Sequence, residues 1–293
     1  MARHTGNCGA APEPRVGPVS PHVAFVLGGG GVLGASQVGM ARALAEAGVR
    51  PDLVLGTSIG ALNGAFLAAS PDVAGAARLE DVWRKVTREG LFTQRPVRQV
   101  AGIARHPTHV LTHAALTTLM ERYLPATSFA DLEVPFQCVA AQIEGARAVW
   151  FDHGPVVPPV LASCSVPGLF PPVRIEGAHY LDGGLVHSIP VGRAVEMGAT
   201  EIYVLQVGRV EQPLSVPTRA WEVAQVAFEI SRRHRFVDEI DAVPESVTLH
   251  VLPTGSSNAP TIALAQARRG RMNDRMEAAY AATTTYLQGR EEG

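Results

Sequence analysis

The residues with the most chemical promise are Gly56-Thr57-Ser58-Ile59-Gly60, between an apolar run and a small-residue helical pattern. A serine with glycine two positions to either side matches a nucleophile elbow, where a strand turns sharply into a helix. The serine backbone is forced into a sparsely populated conformation there, and a Cβ at position 56 or 60 would crowd the turn. The result is a hydroxyl held clear of the chain at a helix N-terminus, where unpaired N–H groups favour developing negative charge. The pattern is short and arises by chance in glycine-rich chains, so its neighbours decide what it means.

Upstream lies a strand-like run, Val23-Ala24-Phe25-Val26-Leu27, followed by Gly28-Gly29-Gly30-Gly31-Val32-Leu33-Gly34. Helical spacing resumes through Val38, Ala41, Leu44 and Ala45 and stops at Gly48, a good C-cap. The chain therefore reads strand, glycine loop, helix, strand, elbow, helix. Gly29, Gly31 and Gly34 fit a dinucleotide fingerprint, but that reading needs an acidic residue closing the second strand, and Asp52 begins it. A P-loop fails because Ala35 stands where the lysine must be. The remaining ligand-binding reading is an oxyanion hole, with side-chain-free N–H groups converging on a carbonyl oxygen beside Ser58. A parallel α/β unit brings both loops to the same sheet edge, which favours it.

A third element is Tyr180-Leu181-Asp182-Gly183-Gly184, preceded by Ala162-Ser163-Cys164-Ser165-Val166-Pro167-Gly168-Leu169-Phe170-Pro171-Pro172. Taken alone, Asp-Gly after a short apolar strand is a hairpin-turn signal. It also offers a carboxylate on a loop with room for close approach.

In this order the three elements resemble the patatin-like phospholipase family, from about Val23 to Val207. The resemblance implies a three-layer α/β/α fold with a mainly parallel sheet. It also implies serine acyl-ester hydrolysis by a Ser–Asp dyad that uses no histidine. Carried over residue by residue, it makes Ser58 the nucleophile and Asp182 its base. The backbone N–H groups of Gly29, Gly30 and Gly31 form the oxyanion hole, with Ile59 N–H as a further donor. Gly34, Gly56, Gly60, Gly183 and Gly184 are the elbow and loop glycines. The family usually carries arginine or lysine just before the last loop glycine, where this chain has Leu33. That departure bears on head-group choice, not on acyl transfer. His187, five residues past Asp182, stands where relatives commonly carry small polar residues.

Composition agrees with one globular enzyme. The chain has 293 residues, 46% hydrophobic and 18% charged, enough for a large core. A net charge of −2 argues against nucleic acid as the main partner. Cys8, Cys138 and Cys164 are too few and scattered for a disulfide framework or zinc cluster, which fits a reducing cytoplasm. Residues 1–21 hold four prolines, three glycines and no apolar run, so they read as a disordered leader without a secretory signal core. Residues 22–290 read as one acyl hydrolase domain. No charge-free stretch is long enough to span a bilayer, so membrane contact is expected to be peripheral.

Further helices are expected at Val73–Glu89, Thr112–Leu124, Ile189–Gly198, Trp221–Ala242 and Ala259–Leu287. Strands are expected at Phe136–Ile143, Ala148–Phe151, Glu201–Val207 and Ser246–Leu252, and residues 91–112 as an irregular cap over the site. His106, His109 and His113 have helix-compatible spacing, but no carboxylate accompanies them and Pro107 interrupts the group, so a metal is not expected. Arg232-Arg233-His234-Arg235 reads as a solvated helix face balanced by Asp238, Glu239 and Asp241. The expectation is a cofactor-independent serine hydrolase of lipid-like esters. Two alternatives stay open: a Ser-Asp-His esterase using His187, His234 or His250, and a non-catalytic lipid-binding protein on the same scaffold.

Overall fold

The computed structural model describes residues 22–89, 111–208, 214, 216–218, 220–255 and 269–291. The N-terminal leader, nearly all of the expected cap, His106 and His109 lie outside the described residues.

An eight-stranded mixed sheet forms the centre, in the order β5-β6-β3-β2-β1-β7-β8 with β4 also on β3. The strands β1 (Val23–Leu27), β2 (Leu53–Thr57), β3 (Phe136–Gln142), β7 (Glu201–Leu205) and β8 (Thr248–Val251) run parallel. The strands β4 (Arg147–Phe151), β5 (Val173–Ile175) and β6 (Ala178–Asp182) add antiparallel pairing at one side. Parallel strands with buried faces need apolar residues in both alternating positions, and β1 and β2 supply them. Phe25, Leu27 and Val54 point into one core with helices α1 (Ala35–Glu46), α2 (Ile59–Ala69), α3 (Val73–Glu89) and α8 (Arg269–Glu291). Ala24, Val26, Leu53 and Leu55 point into the other, with α6 (Val191–Glu196) and Phe236 of α7 (Ala220–Asp241). The architecture is thus helices on both faces of a mostly parallel sheet.

The helix expected at Thr112–Leu124 is α4 (Ala114–Tyr123), and the one expected from Ile189 begins at Val191, after Pro190. One short helix was not legible. Residues Val157–Ser163 form α5, with proline in the first turn, where a missing N–H costs nothing.

The sheet topology positions the site. Strand β3 pairs with β4 through Cys138–Gln142 on one edge. Its other edge is shared: Phe136–Val139 pair with β2 and Ala140–Gln142 with β6. The ends of β2 and β6 therefore abut.

Candidate active site

Ser58 follows β2 and caps α2 with φ 55° and ψ −126°, left-handed backbone that a non-glycine residue adopts only when its surroundings impose it. The surroundings are tight. A Cβ at Gly56 would lie 2.5 Å from the Gly60 carbonyl oxygen, and one at Gly60 would lie 2.2 Å from the Leu27 carbonyl oxygen. Ser163 at the end of α5 takes the Ser58 N–H on its hydroxyl at 2.8 Å. Ser163 is fully buried and was not singled out from sequence, although it stands in the Ala-Ser segment quoted above.

The Ser58 hydroxyl donates to Asp182 Oδ2 at 2.6 Å, with Ser58 and Asp182 7% and 1% exposed. The other carboxylate oxygen accepts the Gly184 N–H at 2.7 Å. Burial raises the Asp182 carboxyl from 3.8 to about 6, while the bonds from Ser58 and Gly184 and the positive charge of Arg232 pull the other way. A carboxylate poised there is a far better proton acceptor than an ordinary one.

The glycine loop lies against the serine. A Cβ on Gly29 would stand 3.2 Å from Ser58 Cβ, and one on Gly34 would stand 2.6 Å from Ile59 Cγ1. At the aspartate turn, a Cβ on Gly183 would stand 2.1 Å from the Val139 carbonyl oxygen. One expected donor is corrected. Gly29 N–H already donates to the Ser188 carbonyl at 3.0 Å, because the segment after β6 crosses the loop there and is tied down by Thr57 Oγ1 donating to the His187 carbonyl at 2.7 Å. Among the described residues, Gly30 N–H donates to no protein acceptor. Ile59 N–H opens α2, where helix geometry leaves donors without intrahelical partners. Leu33 is buried.

The three histidines of the alternative reading are engaged elsewhere. His187 Nδ1 lies 2.9 Å from Glu239 Oε1 and its ring tilts against Trp150. His234 pairs with Asp238 on the surface, and His250 sits between Glu201 and Tyr286. His113 stacks on Phe170 and lies 3.0 Å from the Ser165 hydroxyl. Cys138 and Cys164 are free and buried, and burial pushes both thiols up, leaving them poor nucleophiles. Among the described residues no helix is long and apolar enough to cross a membrane, and no group of three or more His, Cys, Asp or Glu is placed to hold a metal.

The expectation of a solvated face for the basic run is corrected at Arg232, whose side chain is only 12% exposed. Its carboxylate partner is Glu229, not singled out from sequence, rather than Asp238, Glu239 or Asp241. Arg232 on α7 donates from Nη1 to the Gly29 carbonyl at 2.7 Å and is gripped by Glu229 through two 2.9 Å bonds. Nothing in a helical run of basic residues marks which one turns inward.

Residues 25–195 match the family model described as Patatin-like phospholipase. Lysophospholipases nte1 from Aspergillus terreus and Emericella nidulans are each 32% identical over 197 residues. The match spans 64% of this chain but 12% of those proteins, so the chain corresponds to a small part of their length. Among solved structures, VipD from Legionella pneumophila is 15% identical at a TM-score of 0.46, covering 92% of this chain and 67% of that one. With its family profile matched across more than half of its length, the chain belongs to the patatin-like phospholipase family.

Proposed function

We propose that the chain is a lipid acyl hydrolase in which Ser58 and Asp182 act as a catalytic dyad. The observation that carries this reading is the buried 2.6 Å hydrogen bond from Ser58 Oγ to Asp182 Oδ2, at the strained head of a helix. Ser58 Oγ attacks the ester carbonyl carbon while Asp182 accepts its proton. Charge developing on the carbonyl oxygen is held by the N–H groups of Gly30, Gly31 and Ile59. As the tetrahedral adduct collapses, Asp182 returns the proton to the departing alcohol and an acyl-enzyme remains. Water then attacks with Asp182 again as base, releasing the fatty acid and restoring Ser58. The names of the fungal relatives favour a lysophospholipid or a phospholipid as the ester. Membrane contact in this reading is peripheral, and the chemistry requires no cofactor.

The test is hydrolysis of lysophospholipid and labelling by a fluorophosphonate probe, in the native protein and in Ser58→Ala. Alanine fits the elbow and cannot attack, so kcat should fall by about 10⁶-fold, the scale seen when a catalytic serine is removed. A native protein inert to both substrate and probe would support the non-catalytic alternative. Near-normal turnover by folded Ser58→Ala would end the dyad reading.

A further inference from the structure

A run of four glycines, Gly28–Gly31, has no side chains with which to hold its peptides in one orientation. Two backbone bonds anchor its start, from Gly28 N–H to the Leu205 carbonyl and from Gly29 N–H to the Ser188 carbonyl. The next peptide, joining Gly29 to Gly30, is held by a side chain from about two hundred residues away: Arg232 Nη1 donates to the Gly29 carbonyl at 2.7 Å. In a planar trans peptide the C=O and the following N–H point in opposite directions. Drawing the Gly29 carbonyl toward α7 therefore turns the Gly30 N–H away from α7.

The guanidinium is built as a rigid pointer. Its Nε and Nη2 face Glu229 Oε2 and Oε1 at 2.9 Å each, a fork on a carboxylate one helical turn away, and only 12% of the side chain is exposed. Glu229 is braced in turn by Arg233 Nε at 2.9 Å. The same helix rests on the aspartate turn, since a Cβ on Gly184 would stand 2.8 Å from Phe228 Cζ. Helix α7 thus touches both halves of the site.

We propose that Arg232 is a positioning residue of the serine site, clamping the Gly29–Gly30 peptide so that the Gly30 N–H faces the oxygen of the reacting carbonyl. The proposal rests on the acyl-hydrolase reading above. It places a cation on the glycine loop from outside it, in a chain whose loop carries Leu33.

The test compares Arg232→Gln, Arg232→Lys and Glu229→Gln with the native protein, and uses His234→Gln, on the exposed side of α7, as a control. A misaimed donor should cost somewhat less than a deleted one, so Arg232→Gln is expected to lower kcat by about 10–100-fold with KM unchanged. Affinity for a trifluoromethyl ketone, which forms an anionic tetrahedral adduct with the serine, should fall by the same factor. Arg232→Lys keeps the charge but not the fork, and should lose about 10-fold in kcat; Glu229→Gln should fall between it and the native protein. Arg232 also lowers the Asp182 carboxyl by its charge, and an effect exerted only that way would be rescued by lysine. Full kcat in Arg232→Lys, or in folded Arg232→Gln, would overturn the clamp, as would a rise in KM alone. If Arg232→Gln fails to fold, the lysine and Glu229 variants decide. Hydrolysis that is independent of Ser58 in the native protein would instead overturn the underlying reading together with the clamp.

Discussion

Thr57 and Asp182 meet end to end along one edge of β3, Thr57 opposite Val139 and Asp182 opposite Ala140. A strand offers only two edges, and β4 covers the other one here. Strands β2 and β6 must therefore stop where they meet. The residue that follows Thr57 is Ser58, so its hydroxyl emerges beside the Asp182 carboxylate. Chains 124 residues apart in sequence are brought to 2.6 Å by the sharing of one strand edge.

Asp182→Asn keeps the shape of the turn and removes the base, so turnover should drop by roughly 10²–10⁴-fold. In the native protein kcat/KM should fall as pH drops through about 6, the value to which burial raises this carboxyl. A flat profile between about pH 8 and 5 would exclude Asp182 as the base.

The same substitution makes a prediction about stability, with a definite sign. Folded Asp182 binds its proton more tightly than the unfolded residue, at about 6 against 3.8, so its burial penalises folding above pH 6 and ceases to do so below 4. That penalty is on the order of 2–3 kcal/mol. Asparagine carries no charge to bury. Asp182→Asn should therefore melt higher than the native protein near pH 8, and the gap should close as pH falls toward 4. Equal melting differences at both pH values would mean that the carboxylate is not strained by burial.

His187→Ala should change turnover by no more than about three-fold, because the imidazole faces Glu239 and Trp150. The main-chain carbonyl that holds Thr57 is untouched by this change. A loss matching that of Asp182→Asn would replace the dyad with a triad.

Gly60→Ala drives a methyl group to 2.2 Å from the Leu27 carbonyl oxygen and 2.6 Å from its carbon. Backbone in the middle of a sheet cannot step aside as a flexible side chain can. A loss of about 3 kcal/mol in chemical denaturation is expected, with fluorophosphonate labelling slowed even where the variant folds. Unchanged stability would mean that the elbow is looser than its geometry implies.

Leu33→Arg restores a cation to the glycine loop, but Leu33 is only 7% exposed. A buried charge without a partner is costly. Stability should fall by several kcal/mol, and hydrolysis of an anionic phospholipid and of a neutral ester with the same acyl chain should decline in parallel. A selective gain on the phospholipid would return residue 33 to a role in head-group choice.

Sequence alone determined the local pieces. Strand-like runs and helical spacing are properties of neighbouring residues, so β1, α3 and the turn of Gly56–Gly60 into α2 could be read from one segment at a time. The ordered motifs were likewise enough to name the family and to single out Ser58 and Asp182. Tertiary structure decided what depends on distant segments meeting. The segment ending at Ser188 claims the Gly29 N–H. Ser163 reaches the Ser58 amide from α5, a helix hidden by its own prolines. Arg232 turns inward to the glycine loop while its neighbour His234 stays at the surface. Hydrogen bonds between loops follow no periodicity along the chain. They are set by which strand ends share an edge and which helix lies across them, and that is decided only when the whole sheet has formed.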